Sequence, residues 1–232
     1  MDSYQTEEEQ VESIKKWWAD NSRSIIFGVA LGLIGLFGWQ SWQEKTRTSM
    51  LEASDAYQQL VQTMKGSKFD EAILLASEID ETYADTPYAA LAGLHKAKAQ
   101  VETANHTDAV ESLEKVAITA SNQSIQHIAR VRAFKLRIAN GDMSGVIADI
   151  DTLIDGNESL KSGEFVSQYE TLKGDAYRLL GNTEKARYAY VAGLRTATIG
   201  QRLIQLKLDN LGPPSASFAG ANKTEAVKET EK

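Results

Sequence analysis

Hydrophobic positions divide the chain into one uninterrupted block and a long series of spaced ones. From Ser24 to Gln43 (SIIFGVALGLIGLFGWQSWQ) twenty residues pass without a charge, and nearly all are apolar or glycine. At a rise of 1.5 Å per residue the run reaches about 30 Å, the thickness of a bilayer's hydrocarbon core, so it predicts a transmembrane helix over 24–43. The tryptophans agree: Trp17 and Trp18 precede the run, and Trp39 and Trp42 close it, at the two headgroup levels where indole rings settle. Residues 1–23 form an N-terminal segment in which Val11, Ile14, Trp17 and Trp18 recur at helical spacing. That spacing predicts an amphipathic helix lying in the membrane interface, interrupted at Asp20, Asn21 and Ser22 before the span. The lead carries Glu7, Glu8, Glu9 and Glu12, and the run ends without a small-x-small site. Both features favour an uncleaved anchor over a signal peptide.

Inside the span, Gly28, Gly32 and Gly35 fall at i, i+4 and i+7 with Gly38 on the flank. Two readings are open: a groove for close docking of another helix, or the ordinary abundance of glycine in membrane helices.

Beyond the anchor the spacing is that of helices throughout. Alanines and leucines recur every three and four residues, no stretch alternates with period two, and only Pro87, Pro213 and Pro214 interrupt the chain; the fold class is all-α. An internal repeat is visible. The small or β-branched residue after each polar turn, Ala72, Ala109, Val146 and Ala186, recurs after 37, 37 and 40 positions. The turns are expected at Lys65 to Lys68, Thr103 to Thr107, Asn140 to Ser144 and Gly181 to Thr183. One such helix pair cannot bury its own apolar stripe, so about four pairs over residues 44–211 are expected to stack into an α-solenoid. Leu203, Ile204, Leu206, Leu208 and Leu211 then form a capping helix. After Gly212 the chain is small, polar and charge-alternating, which predicts a disordered tail over 212–232.

Composition changes this picture mainly by exclusion. Asp and Glu outnumber Lys and Arg by 32 to 25, with no basic block, so no nucleic-acid partner is expected. There is no cysteine, which removes disulfides and thiolate chemistry. His95, His106 and His127 lack metal-ligand spacing, and no phosphate-loop, dinucleotide or nucleophile-elbow motif occurs. No metal, no cofactor and no enzymatic activity are expected.

The last repeat resembles the tetratricopeptide pattern, with Gly174, Tyr177, Gly181, Ala186, Tyr190 and Gly193 in its small, aromatic, turn, small, aromatic and small positions. That resemblance implies a concave groove lined by the first helix of each pair. Carried over, its positions are Tyr57, Val61 and Met64, then Leu91, Leu94, Lys98 and Val101, then Ile128, Val131, Lys135 and Ile138. Gln168, Thr171, Asp175 and Arg178 form a more solvated end. The alternatives are that these residues belong to the core in a shifted register, or that the capping helix fills the groove.

The lead Gln10-Val11-Glu12-Ser13-Ile14-Lys15-Lys16-Trp17-Trp18, then Gly28, Leu31-Gly32 and Gly38-Trp39-Gln40-Ser41-Trp42 ahead of such repeats, resembles the bacterial YfgM family of ancillary Sec translocon subunits. The resemblance implies a single-pass inner-membrane protein with a cytoplasmic N-terminus and a periplasmic repeat domain. Lys15, Lys16 and Arg23 against Lys45 and Arg47 lean the same way. It further implies association with the SecYEG channel and the membrane-anchored chaperone PpiD, and help for unfolded, newly exported proteins. A regulatory role, sequestering a stress-response regulator, is the alternative. Membrane lipid is a partner on either reading.

Overall fold

The computed structural model describes residues 7–156 and 164–213, and its regular structure there is entirely α-helical. Nine helices are present among the described residues: α1 (Glu7–Lys65), α2 (Phe69–Thr82), α3 (Pro87–Glu102), α4 (His106–Thr119), α5 (Gln123–Ala139), α6 (Met143–Asp155), α7 (Glu164–Leu179), α8 (Thr183–Thr196) and α9 (Gln201–Asp209). The tail expected over 212–232 lies outside the described residues from 214 onward. Two compact units divide between Ser54 and Asp55. Glu44 to Arg47, ahead of that division within α1, are exposed.

Four turns of one design build the repeat unit. At the end of each first helix one residue adopts the left-handed conformation: Ser67 (φ 55°), Ala104 (62°), Gly141 (94°) and Gly181 (76°). The next residue donates its N–H five positions back: Lys68 to the Thr63 carbonyl, Asn105 to Gln100, Asp142 to Arg137 and Asn182 to Tyr177, at 3.2, 2.7, 2.9 and 2.9 Å. This is the Schellman closure, which satisfies carbonyls that a helix end leaves without partners. The closing residue then serves as N-cap of the second helix, and the Asp142 and Asn182 side chains accept from the Gly145 and Lys185 N–H. The four turns fall where the repeat spacing placed them.

Small residues govern how the helices meet. The repeat markers Ala72, Ala109, Val146 and Ala186 are all fully buried, and each sits one turn into a second helix. Apolar clusters link successive pairs. Leu60 of α1 packs with Ala72, Ala76 and Ile79 of α2 and Ala92 and Ala99 of α3. Ala97 of α3 joins Ala109, Leu113 and Val116 of α4 and Ala129 and Ala133 of α5. Val131, Phe134 and Ile138 of α5 join Val146, Ile147 and Ile150 of α6 and Tyr169 and Leu172 of α7. Ala186 and Tyr190 of α8 meet Ile204 of α9. The clusters follow one another along the stack, with α3 and α5 each contributing to two of them. At its tightest points no Cβ fits: one added at Gly93 would stand 2.4 Å from a Val116 methyl, and one at Gly174 2.5 Å from the Tyr190 ring.

The other unit is the N-terminal part of α1. The expected interruption at Asp20 to Ser22 does not form, because the Asn21 amide donates back to the Trp17 carbonyl at 2.9 Å and a polar side chain so engaged leaves the helix intact. Instead the helix bends by 44° between Gln10–Ser24 and Ile26–Lys65. Neither segment alone is long and apolar enough to cross a membrane, whereas the bent pair together has the length and composition to do so. The bend falls inside the first turn of the apolar run and divides it.

Two glycine exchanges of opposite sign test this packing account. Gly174→Ala should lower stability by about 1–3 kcal/mol, a Tm drop of about 3–10 °C, because the new methyl overlaps Tyr190. Ala104→Gly should raise stability by about 0.5–1 kcal/mol by relieving a left-handed alanine. Thermal melts followed by circular dichroism read both; equal or reversed signs would contradict it.

Candidate membrane and protein interaction surfaces

The apolar run of α1 is bare on every side. Ile26, Phe27, Val29, Leu31, Leu33, Ile34, Leu36 and Phe37 are all exposed, Phe27 to 71% and Leu31 to 68%. Successive helical residues point about 100° apart, so these eight cover roughly 220° of the circumference, and the remaining sector is the one that carries Gly28, Gly32 and Gly35. A Cβ added at Gly28, Gly32, Gly35 or Gly38 would meet nothing within 4 Å. Trp39 and Trp42 lie with ring centroids 5.3 Å apart at the end of the run. Such a surface suits a non-aqueous surrounding.

The predicted groove positions in the repeat unit separate into three kinds. Val131 and Ile138 belong to the core between α5, α6 and α7, with 6% and 8% exposure, so they face inward in the register the core alternative foresaw. Leu94 and Val101 are half-buried against the α3–α4–α5 cluster, and Tyr57 and Met64 against the α1–α2–α3 cluster. Val61 and Leu91 are also half-buried, while Lys98, Lys135 and Ile128, the last at 40%, are exposed. The physical reason is the width of a helix face: a core stripe and a groove stripe lie within about 100° of each other, and spacing alone does not separate them.

One stretch of the first helices borders an open depression. A cavity of about 640 Å³ is lined by Lys135, Ile138 and Ala139 of α5, Leu172, Asp175, Arg178 and Leu179 of α7, and Lys207 and Asn210 beyond them. Lys207 of α9 reaches Asp175 at 2.5 Å, and the Tyr190 hydroxyl donates to the other Asp175 oxygen at 2.7 Å. Burial, then the adjacent Asp175 carboxylate, hold Tyr190 protonated well above its ordinary range. The capping helix thus seats at one end of the groove instead of filling it. Leu172, Leu179, Lys207 and Asn210 were not among the expected lining, and Asp175 and Arg178 were read as a solvated end. The available signal was α9 itself, where Lys207 follows the buried Ile204 by three residues and so shares its face.

The histidines are tied into structure. His127 is buried, with Nδ1 2.6 Å from the Tyr169 hydroxyl and its ring stacked on Phe165 at 4.2 Å. His95 Nε2 lies 3.0 Å from the Tyr57 hydroxyl. Burial holds both below the ordinary histidine range, with further lowering from Lys98 and Arg132 at His95 and from Arg130 at His127. His106 is exposed on α4. Among the described residues no group of three His, Asp or Glu side chains is arranged to hold a metal ion.

Comparison with known proteins places this geometry. The tetratricopeptide repeat-like domain family matches residues 15–213. The chain is 31% identical over 206 residues to a protein of Aggregatibacter actinomycetemcomitans named ancillary SecYEG translocon subunit, covering 88% of this chain and 97% of that one. It is 26% identical over 213 residues to the protein of the same name from Escherichia coli (strain K12), covering 91% and 99%. The Haemophilus influenzae protein of that name is 23% identical over 212 residues, covering 90% of this chain and the whole of that one.

Two outcomes follow from the geometry. Val131→Glu should cost several kcal/mol and lower the melting temperature sharply, while Ile128→Glu should stay within about 0.5 kcal/mol of the parent; comparable melting of the two variants would reassign the faces of α5. His127, buried, and His95, half-buried, also set a pH dependence. Their folded pKa values lie below the ordinary 6.5 or so, so below that pH the unfolded chain binds protons that the fold refuses. Stability should be fully present above about pH 6.5 and fall as pH drops below it. His127→Gln and His95→Gln together should flatten the melting curve between pH 7 and 5, and an unchanged slope would contradict this assignment.

Proposed function

We propose a function from the premise that this chain belongs to the family of ancillary SecYEG translocon subunits, with its tetratricopeptide repeat-like domain spanning residues 15–213: it is a membrane-tethered binding module of the protein-export machinery. The observation that carries this reading is an apolar surface exposed on all sides of α1, joined in one chain to a stacked helical unit. On this reading the bent N-terminal helix sits in the inner membrane with its start in the cytoplasm. The repeat unit stands in the periplasm, associated with the SecYEG channel and a PpiD-like membrane-anchored chaperone. The unit acts there as a scaffold or co-chaperone for newly exported chains.

Tethering makes weak contacts sufficient. A module held beside a channel exit meets emerging chain at an effective concentration in the millimolar range for a short tether, so modest affinity still gives high occupancy. The glycine face adds a second contact. With open space over Gly28, Gly32 and Gly35, a neighbouring membrane helix is able to approach the α1 backbone closely.

Solubilised membranes and a tagged full-length chain test this. Channel subunits should co-purify, and Gly32→Leu should reduce their recovery severalfold while leaving membrane insertion intact, because a leucine blocks close approach and adds apolarity. Recovery of a response regulator in place of channel subunits would favour the sequestering role and defeat this one.

A further inference from the structure

We infer that the outward face of α9 pairs two copies of this chain within one membrane, the two helices running in opposite directions about a two-fold axis. A stack of repeats ordinarily ends on a helix whose outer face is polar, and α9 departs from that. Its inner side is committed: Ile204 is buried, and Leu208 and Leu211 pack against the cluster that includes Tyr190 of α8. Leu203 and Leu206 lie outside this contact, about 60° apart around the helix. They are 59% and 52% exposed, and Ile199, just ahead of the helix, is 76% exposed. An apolar stripe at the open end of the stack marks an interaction surface.

The charges beside the stripe choose its occupant. Arg202 and Asp209 are seven residues apart, which brings them to nearly the same side of the helix, along one flank of the leucines. Both are exposed. Arg202 has no ion-pair partner among the described residues, and Asp209 accepts from Gln205 of its own helix. Neither charge serves α9 itself, since a cation in the first turn and an anion in the last oppose the helix dipole. When a second α9 is laid antiparallel on the first, this flank meets the same flank of the other copy, and each cation faces an anion. The midpoint between the two residues falls beside Leu206, which then meets its own counterpart at the axis. Lys207, on the opposite flank, is already held by Asp175. Such a self-complementary patch is what a two-fold interface requires, whereas an unrelated apolar segment makes no use of the paired charges. Three apolar side chains from each copy fall short of the roughly 1,000 Å² that a stable soluble interface buries. Confinement of both copies to one bilayer raises their effective concentration, so the contact forms there and is weak in dilute solution. For this the inference rests on the tethered reading of α1, and not on what the repeat unit binds.

The chain has no cysteine, so a single introduced thiol reports on the pairing. Full-length chain carrying Leu206→Cys, or Leu74→Cys at an exposed position of α2 as the control, is reconstituted alone into vesicles at low protein density and oxidised. Leu206→Cys should give a disulfide-linked dimer in about tenfold higher yield than the control. Adding Arg202→Asp should cut that yield about fivefold without lowering the melting temperature, because two attractive pairs become repulsive while the new acid suits the helix start. Adding Asp209→Arg as well should restore it. Equal yields from the two cysteine positions would overturn the inference, as would the absence of rescue by the double exchange. A Leu206→Cys chain that stays monomeric, its face covered by residues 214–232 or by nothing, would do the same. Flotation with the vesicles is measured first: a chain that fails to insert defeats the tethered reading, whereas one that inserts and does not pair defeats the pairing alone.

Discussion

Everything in the repeat unit depends on helix backbones approaching closely at small residues. Ala72, Ala109 and Ala186 are fully buried at corresponding places in three pairs, and Gly93 and Gly174 lie under Val116 and Tyr190 with no room for a methyl group. Close approach is possible only if each pair turns back within a few residues. The four left-handed turns supply this by closing one helix and capping the next with the same residue. Turn and seam are thus one device repeated along the chain. The buried stripe that results is shared between neighbouring pairs, which is why no pair is a folding unit by itself.

The same stacking decides which side chains of a helix are left outward. Side chains wedged between α5, α6 and α7, such as Val131 and Ile138, are committed to the core. Their neighbours on the same helix, Ile128 and Lys135, are left outward. α9 then limits the groove at its far end, because the Lys207 ammonium is held by Asp175, which also accepts from Tyr190. The polar network that seals the last pair is therefore the network that shapes the cavity beside it.

Much of the architecture was legible in the sequence for physical reasons that differ from element to element. The hairpins were readable because glycine or asparagine at Asn140, Gly181 and Asn182 interrupts apolar spacing, and because the buried alanine recurs at a fixed offset. Ser67 and Ala104 gave weaker signals, since neither residue type announces a left-handed backbone, yet the shared spacing placed them. The groove was less legible. Its lining depends on which side of a 100° stripe meets a neighbour, and that is set by the seats of α7 and α9 rather than by α5 itself. The continuity of α1 through Asp20 to Ser22 was missed because polar residues read as a break, whereas the Asn21 side chain folds back onto the helix. The uncharged run was visible at once; its 44° bend was not, since nothing in the run's composition marks residue 25.

The account stands on the apolar run of α1 crossing a bilayer, and the four tryptophans are built-in reporters of it, two on each side of the run. Full-length chain is reconstituted into sealed vesicles in one orientation, in two forms: Trp17 and Trp18 both changed to Phe, and Trp39 and Trp42 both changed to Phe. Quenching by iodide added only outside is then measured. The account predicts opposite accessibility, one form quenched and the other protected until the vesicles are opened. Equal quenching of both forms in intact vesicles would place all four rings on one side and contradict it.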